Sequence, residues 1–211
     1  MARVALLVEY LGKNFHGCQY QLGLRTVQSD LESALSTYLR KPTKVIFSGR
    51  TDSGVHASGQ IAHTDIQVED LDIWRLLWAL NGILKNDLSI RNAQIVPDTF
   101  HARFEATKRQ YVYRLLNRPQ RSAILKNNHY FIPRPLDIHS MQMAAQNLLG
   151  RHDFSSFRSS NADKTNTICE VSRAEMLNKG EGQVEFWIAA DHFVYNMVRI
   201  IVGTLVDIGL G

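Results

Sequence analysis

An α+β fold built on mixed or antiparallel sheet is what this sequence predicts, and three features predict it. Strand and helix patterns alternate along the chain, and several strands are joined by turns too short for a parallel crossover. The two halves also repeat a similar strand–helix–strand order, as expected of two related subdomains meeting at a cleft. The boundary falls between 1–104 and 105–211.

The elements follow in order. Residues 3–10 form a short apolar run with a β-branched bias, read as a buried strand, and Gly12, Asn14 and Gly17 follow in a loop. Thr26 is a helix N-cap for residues 27–40, where Val27, Leu31, Ala34, Leu35, Tyr38 and Leu39 recur on one face and Pro42 ends the pattern. Residues 44–48 read as a strand, and 49–59 as a loop too rich in Gly and Ser for regular structure. A strand at 60–66, a helix at 70–81 with Leu71, Trp74, Leu77, Trp78 and Leu80 on its apolar face, and a strand at 89–96 complete the first half.

The second half opens with a strand at 107–117, in which Tyr111, Tyr113 and Leu115 share one face. A helix at 137–149 follows, then strands at 167–178 and 183–191 flanking a Gly180–Gly182 turn. The last helix, 193–208, is apolar around most of its circumference, which predicts burial on all sides. The apolar flanks of Arg199 within it predict a buried guanidinium in need of a partner.

Composition narrows the function classes. The 211 residues are 45% hydrophobic and 21% charged, an ordinary globular balance that excludes disordered, collagen-like and coiled-coil chains. No run approaches the roughly 20 apolar residues of a membrane span, and the start of the chain meets a charge too early for a signal peptide. Cys18 and Cys169 lie far apart and read as reduced thiols in a cytoplasmic protein. The net charge of +4 is mild, but Lys108, Arg109, Arg114, Arg118 and Arg121 interleave with Tyr111 and Tyr113. That pattern suits phosphate contact with base stacking, and equally a strand edge protected by charge. His16 and Cys18 have no second cluster at zinc-like spacing, so no metal is expected, and no phosphate-binding loop is present.

The most distinctive segment is Gly49-Arg50-Thr51-Asp52-Ser53-Gly54-Val55-His56-Ala57. A strand delivers the chain into a loop whose glycines let a ligand approach closely, and a neighbouring Arg favours an ionised carboxylate. Such a carboxylate can act as nucleophile or base; a turn with a capping Asp and a solvated Arg would show the same residues. The segment resembles the signature loop of the tRNA pseudouridine synthase A family. Three further blocks resemble that family in the same order: Phe100-His101-Ala102-Arg103-Phe104-Glu105-Ala106-Thr107-Lys108-Arg109-Gln110-Tyr111, then Gly150-Arg151-His152-Asp153-Phe154, then Phe193-Val194-Tyr195-Asn196-Met197-Val198-Arg199 with Val202-Gly203-Thr204-Leu205.

The resemblance implies the pseudouridine synthase fold, two subdomains around a basic central cleft, and isomerisation of uridine to pseudouridine in the anticodon stem-loop of tRNA. It implies no cofactor, a homodimer, and a base flipped out of its stack. Asp52 matches the family's aspartate, which attacks C1′ of the sugar or C6 of the base, or drives loss of the 2′-proton. Arg50 matches an arginine that fills the space left by the flipped uridine and pairs with the aspartate when RNA is absent. Tyr111 matches a tyrosine that stacks on the uracil and can accept the C5 proton, and Arg199 a basic residue that keeps the carboxylate charged. His101, Arg103, Lys108 and Arg109 are then expected to face the RNA backbone. The sequence departs from the family at its end, because family members continue past Leu205 with a further helix and strand and this chain stops at Gly211, as a truncated chain or a shortened member would.

Two rivals are weighed by their own requirements. Asp52-Ser53-Gly54 looks like an aspartic-protease tripeptide, but such an enzyme needs two facing carboxylates and the sequence has one such motif. A catalytically inactive tRNA-binding protein or RNA chaperone on the same scaffold is the other.

Overall fold

The structure, a computed structural model, describes residues 1–67, 70–159 and 166–211. Its chain divides into two units, Met1–Ala106 and Thr107–Gly211, each with its own sheet and its own core.

In the N-terminal unit β1 (Ala2–Tyr10) leads to α1 (Val27–Leu39), then β2 (Ile46–Phe47), β3 (Ala57–Ile66), α2 (Ile73–Ile83) and β4 (Leu88–Val96). The strand order is β2-β3-β1-β4, antiparallel throughout. This β-α-β-β-α-β succession is the ferredoxin-like arrangement. Alternate residues of β1, namely Val4, Leu6, Val8 and Tyr10, point into the core with Leu31 and Leu35 of α1 and Leu76 and Leu80 of α2.

Helix α1 begins where expected, because the Thr26 side chain accepts from the Ser29 N–H while the Ser29 hydroxyl accepts from the Thr26 N–H. It ends at Arg40, whose left-handed backbone (φ 54°) stops the helix before Pro42 is reached. The strand expected at 44–48 is reduced to Ile46–Phe47. Helix α2 turns only part of the expected face inward: Leu80 is buried, with Leu76 beside it, and Leu77 packs partly buried against the core, whereas Trp74 and Trp78 are 69% and 72% exposed and stack on each other at 6.5 Å. The apolar residues of this helix cover so much of its circumference that periodicity alone did not select the stripe.

In the C-terminal unit the elements are β5 (Arg109–Asn117), β6 (Tyr130–Ile132), α3 (Ile138–Gln146), β7 (Gly150–Asp153), β8 (Ile168–Gly180), β9 (Gln183–Ala190) and α4 (Met197–Leu210). The order is β6-β5-β9-β8-β7, with β6 parallel to β5 and every other pair antiparallel. The β8–β9 turn forms where expected. Its two central residues, Glu181 and Gly182, both have positive φ (52° and 77°), as a primed hairpin turn requires. Strands β6 and β7 carry no usable pattern: one is three residues long, and every residue of the other is exposed.

Helix α4 corrects two expectations. It starts at Met197 rather than 193, because Asn196 is left-handed (φ 62°). It is also not enclosed on all sides: Met197, Ile201, Val202, Leu205, Val206 and Gly209 are buried, while Arg199, Gly203, Thr204, Asp207 and Ile208 are exposed. Arg199 is therefore a solvated side chain two positions away from the buried stripe, not a guanidinium sealed among apolar neighbours. Among the described residues no helix is long and apolar enough to cross a membrane.

Candidate active site

The loop between β2 and β3 is pressed against the segment that follows β1. Gly12 N–H donates to His56 Nδ1 (3.1 Å), Gly54 N–H donates to Phe15 O (3.4 Å), and the Ser53 hydroxyl reaches the same carbonyl at 3.3 Å. Val55 N–H closes a turn onto Asp52 O (3.2 Å), which Gly54 completes with φ +80°. A loop without regular structure is thus held by hydrogen bonds to a second loop, and its Asp52 is half-buried while Arg50 is exposed.

Arg50 and Asp52 share this loop but form no ion pair with each other, contrary to the pairing the resemblance implies. Among the described residues of the unit, the Asp52 carboxylate enters no salt bridge. With only Thr51 between them in an irregular turn, Arg50 extends into solvent. An unpaired carboxylate on a fastened loop is accessible to a ligand without first breaking an internal bond.

His101 and Arg103 lie in the same unit, on a tight turn. Glu105 Oε1 accepts from the His101 N–H (2.8 Å), and Glu105 N–H returns to His101 O (3.0 Å). The His101 ring stacks on Phe104 at 4.2 Å, and the exposed Arg103 guanidinium lies 5.8 Å from the Phe104 ring centre. Beneath the turn, His63 of β3 is 2% exposed and its Nδ1 accepts from the Ala102 N–H (3.2 Å). Burial, with the positive charge of Arg3 and His101 nearby, holds the His63 pKa below its ordinary value, so the imidazole is kept in the neutral form this bond needs.

Tyr111, Lys108, Arg109 and Arg199 belong to the C-terminal unit. Tyr111 is half-buried on β5, opposite Ile188 and edge-on to Phe193 at 5.0 Å. Arg109 donates to Asp191 O (2.6 Å), and Lys108 is exposed. The basic run is partly consumed internally, since Arg114 pairs with Glu185 at 3.0 Å. Arg121 is exposed and lines a cavity of about 390 Å³ with Lys126 and His129.

One other constellation has the outline of a catalytic site. Cys169 Sγ lies 3.5 Å from His192 Nε2, and His192 Nδ1 lies 3.1 Å from Asp191 Oδ1, the succession of a cysteine hydrolase. Cys169 is 0% exposed, and burial together with the Asp191 charge pushes its thiol up to about 11. A buried, protonated thiol is no nucleophile, so this is a packing cluster. Among the described residues no three His, Cys, Asp or Glu side chains are gathered as metal ligands.

Residues to which the sequence gave no such role support the Asp52 loop. Tyr10, Cys18 and Gln60 all bond to it. Their only sequence signal was indirect: Gly12 and Gly17 marked a loop, without indicating what packs against it.

Comparison with known proteins follows the same residues. A family model described as tRNA pseudouridine synthase matches residues 6–105 and 144–211. The matched stretches contain Arg50, Asp52, His101, Arg103 and Arg199, whereas Lys108, Arg109 and Tyr111 fall between them. The chain is 45% identical over 210 residues to a tRNA pseudouridine synthase A of Dechloromonas aromatica (strain RCB), covering 99% of this chain and 79% of that protein. It is 41% identical over 211 residues to the protein of that name from Thermoanaerobacter sp. (strain X514), covering 100% and 86%. A third relative of that name, from Acetivibrio thermocellus, is 43% identical over 214 residues, again 100% of this chain and 86% of the relative.

Proposed function

The chain belongs to the tRNA pseudouridine synthase family, and from that premise we propose that it isomerises uridine to pseudouridine in the anticodon stem-loop of tRNA, with Asp52 as the reacting carboxylate. The observation that supports the assignment is the Asp52 loop: a carboxylate with no salt bridge inside its unit, on a backbone fastened along its length.

The chemistry sets the requirements. The N1–C1′ bond of uridine breaks, a C5–C1′ bond forms, and the proton leaving C5 is balanced by one gained at N1. Electrons are conserved, so neither oxidant nor energy source is called for. A stacked base cannot be turned over in place, so the uridine is flipped out. Asp52 then either bonds covalently to C1′ or C6 or removes the 2′-proton. Arg50, exposed beside it, is the side chain suited to occupy the vacated stack. Tyr111 stacks on the detached uracil and accepts the C5 proton. Arg199, being exposed, is available to a carboxylate or to RNA phosphate. His101, Arg103, Lys108 and Arg109 contact the backbone, which gives binding a marked salt dependence. The same reading extends to a cytoplasmic homodimer, for which the exposed Trp74–Trp78 pair supplies apolar surface.

Pseudouridine mapping on an unmodified tRNA transcript tests the reading. The unsubstituted chain should form product in the anticodon arm. Asp52→Ala should bind the same RNA with unchanged salt dependence and lower kcat by more than about a thousandfold. Full turnover by Asp52→Ala would remove the carboxylate from the mechanism.

A further inference from the structure

The three peptide groups around Arg50 are gripped from two sides by residues outside the loop. On one side stands Cys18, 1% exposed. Its N–H donates to Thr51 O (3.1 Å), its sulfur accepts from the Thr51 N–H (3.1 Å), and its S–H reaches Gly49 O at 3.5 Å. On the other side Gln60 Nε2 donates to the same Gly49 carbonyl (2.6 Å), while Gln60 Oε1 accepts from the Tyr10 hydroxyl (2.6 Å).

Proton counting orients the remaining bond. Tyr10 has one hydroxyl proton, and Gln60 Oε1 has none to offer, so that proton lies between Tyr10 and Gln60. The 2.7 Å contact between the Tyr10 and Thr51 hydroxyls is therefore made by Thr51 donating to the Tyr10 oxygen. A directed chain results: Thr51 hydroxyl to Tyr10 hydroxyl to the Gln60 carbonyl oxygen, then from the Gln60 amide to Gly49 O. It closes around Arg50, beginning at Thr51, one residue before Asp52, and ending at Gly49. The close approach also needs Gly17, where an added Cβ would lie 2.9 Å from Thr51 O.

We propose that Tyr10, Gln60 and Cys18 are positioning residues for Asp52, fixing the peptides on both sides of Arg50 so that the carboxylate is presented in one place. This rests on the reading of Asp52 as the reacting group. A carboxylate displaced by about 1 Å can lose about a hundredfold in rate while RNA binding, spread over many phosphate contacts, is unaffected. The role lies in the hydroxyl, amide and thiol groups; the Tyr10 ring packs edge-on to Phe15 at 6.3 Å whether or not it bears an oxygen.

The experiment compares Tyr10→Phe, Thr51→Val, Thr51→Ser, Cys18→Ala and Asp52→Ala for kcat, KM for tRNA and melting temperature. Expected for Tyr10→Phe, Thr51→Val and Cys18→Ala is a fall in kcat of about 10- to 100-fold, with KM within about twofold and assays run well below each melting point. Thr51→Ser keeps the hydroxyl and should keep kcat. The Tyr10→Phe/Thr51→Val double variant should be no slower than the slower single one, because both break the same chain. Parent-like kcat in Tyr10→Phe and Thr51→Val, or losses confined to KM or to melting temperature, would overturn the proposal. Asp52→Ala separates the two claims: if it is inactive while the others turn over normally, only the positioning role falls. If it remains active, the reading of Asp52 falls and the positioning role with it.

Discussion

Gly12 lies so close to Val55 that a Cβ built on it would sit 2.0 Å from the Val55 carbonyl oxygen. The segment after β1 and the loop holding Asp52 are therefore packed backbone to backbone, and only the absence of a side chain allows it. Gly12→Ala should force the two apart and destabilise the chain by about 2–3 kcal/mol, read as a shift in urea midpoint. Gly82→Ala is the control, since nothing lies within 4 Å of its added Cβ.

The entry to β4 should make the protein acid-sensitive through one carboxylate. Arg25 grips both oxygens of Asp87 at 2.7 Å and also binds Asp30. The Arg25 hydrogen bonds outweigh burial and, helped by Asn14, hold the Asp87 carboxyl down at about 2. A folded-state value below the ordinary one means that the folded protein resists a proton the unfolded chain accepts. The stabilisation is then complete above about pH 4 and lost as pH falls toward 2. Asp87→Asn should cost about 2 kcal/mol at neutral pH, and its urea midpoint should converge on that of the parent near pH 2.

His63 should add a milder dependence at higher pH. Burial, then Arg3 and His101, lower its pKa, and its Nδ1 must stay unprotonated to accept from Ala102. Because the unfolded chain takes up the proton first, stability contributed here is present above the ordinary histidine value of about 6.5 and declines as pH drops below it. Replacing His63 with Phe should flatten the stability profile below about pH 6.5. An unchanged slope would show that His63 is not its source.

Arg199, exposed on α4, separates chemistry from folding. Arg199→Gln should leave unfolding free energy within about 0.5 kcal/mol of the parent. If the guanidinium serves the carboxylate or the RNA, activity should fall all the same. Equal retention of both would leave Arg199 an ordinary surface residue.

Local signals in the sequence translated directly into structure wherever one residue's own chemistry decided the outcome. Thr26 caps α1, Glu181 and Gly182 make the tight turn of the β8–β9 hairpin, and the alternating apolar residues of β1 line one face of the sheet. The Gly49–Ala57 motif and its companions were legible as a family pattern because motif residues are contiguous. Where competing surfaces decided, the sequence was mute: Trp74 and Trp78 share an apolar pattern with Leu77 and Leu80, and only packing shows that the tryptophans face outward.

The sequence by itself determined the α+β class, most of the helices and strands, and the family resemblance, because periodicity, caps and motifs act over a few residues. Tertiary structure alone decided that Arg199 is solvated, that Arg50 and Asp52 stand apart, and that the Asp52 loop hangs on Tyr10, Cys18 and Gln60. Those outcomes depend on hydrogen bonds such as Tyr10 to Gln60 and Thr51 to Cys18, whose partners are distant along the chain. No pattern of residue types over a short window records which distant groups fall within hydrogen-bonding reach once the core has formed.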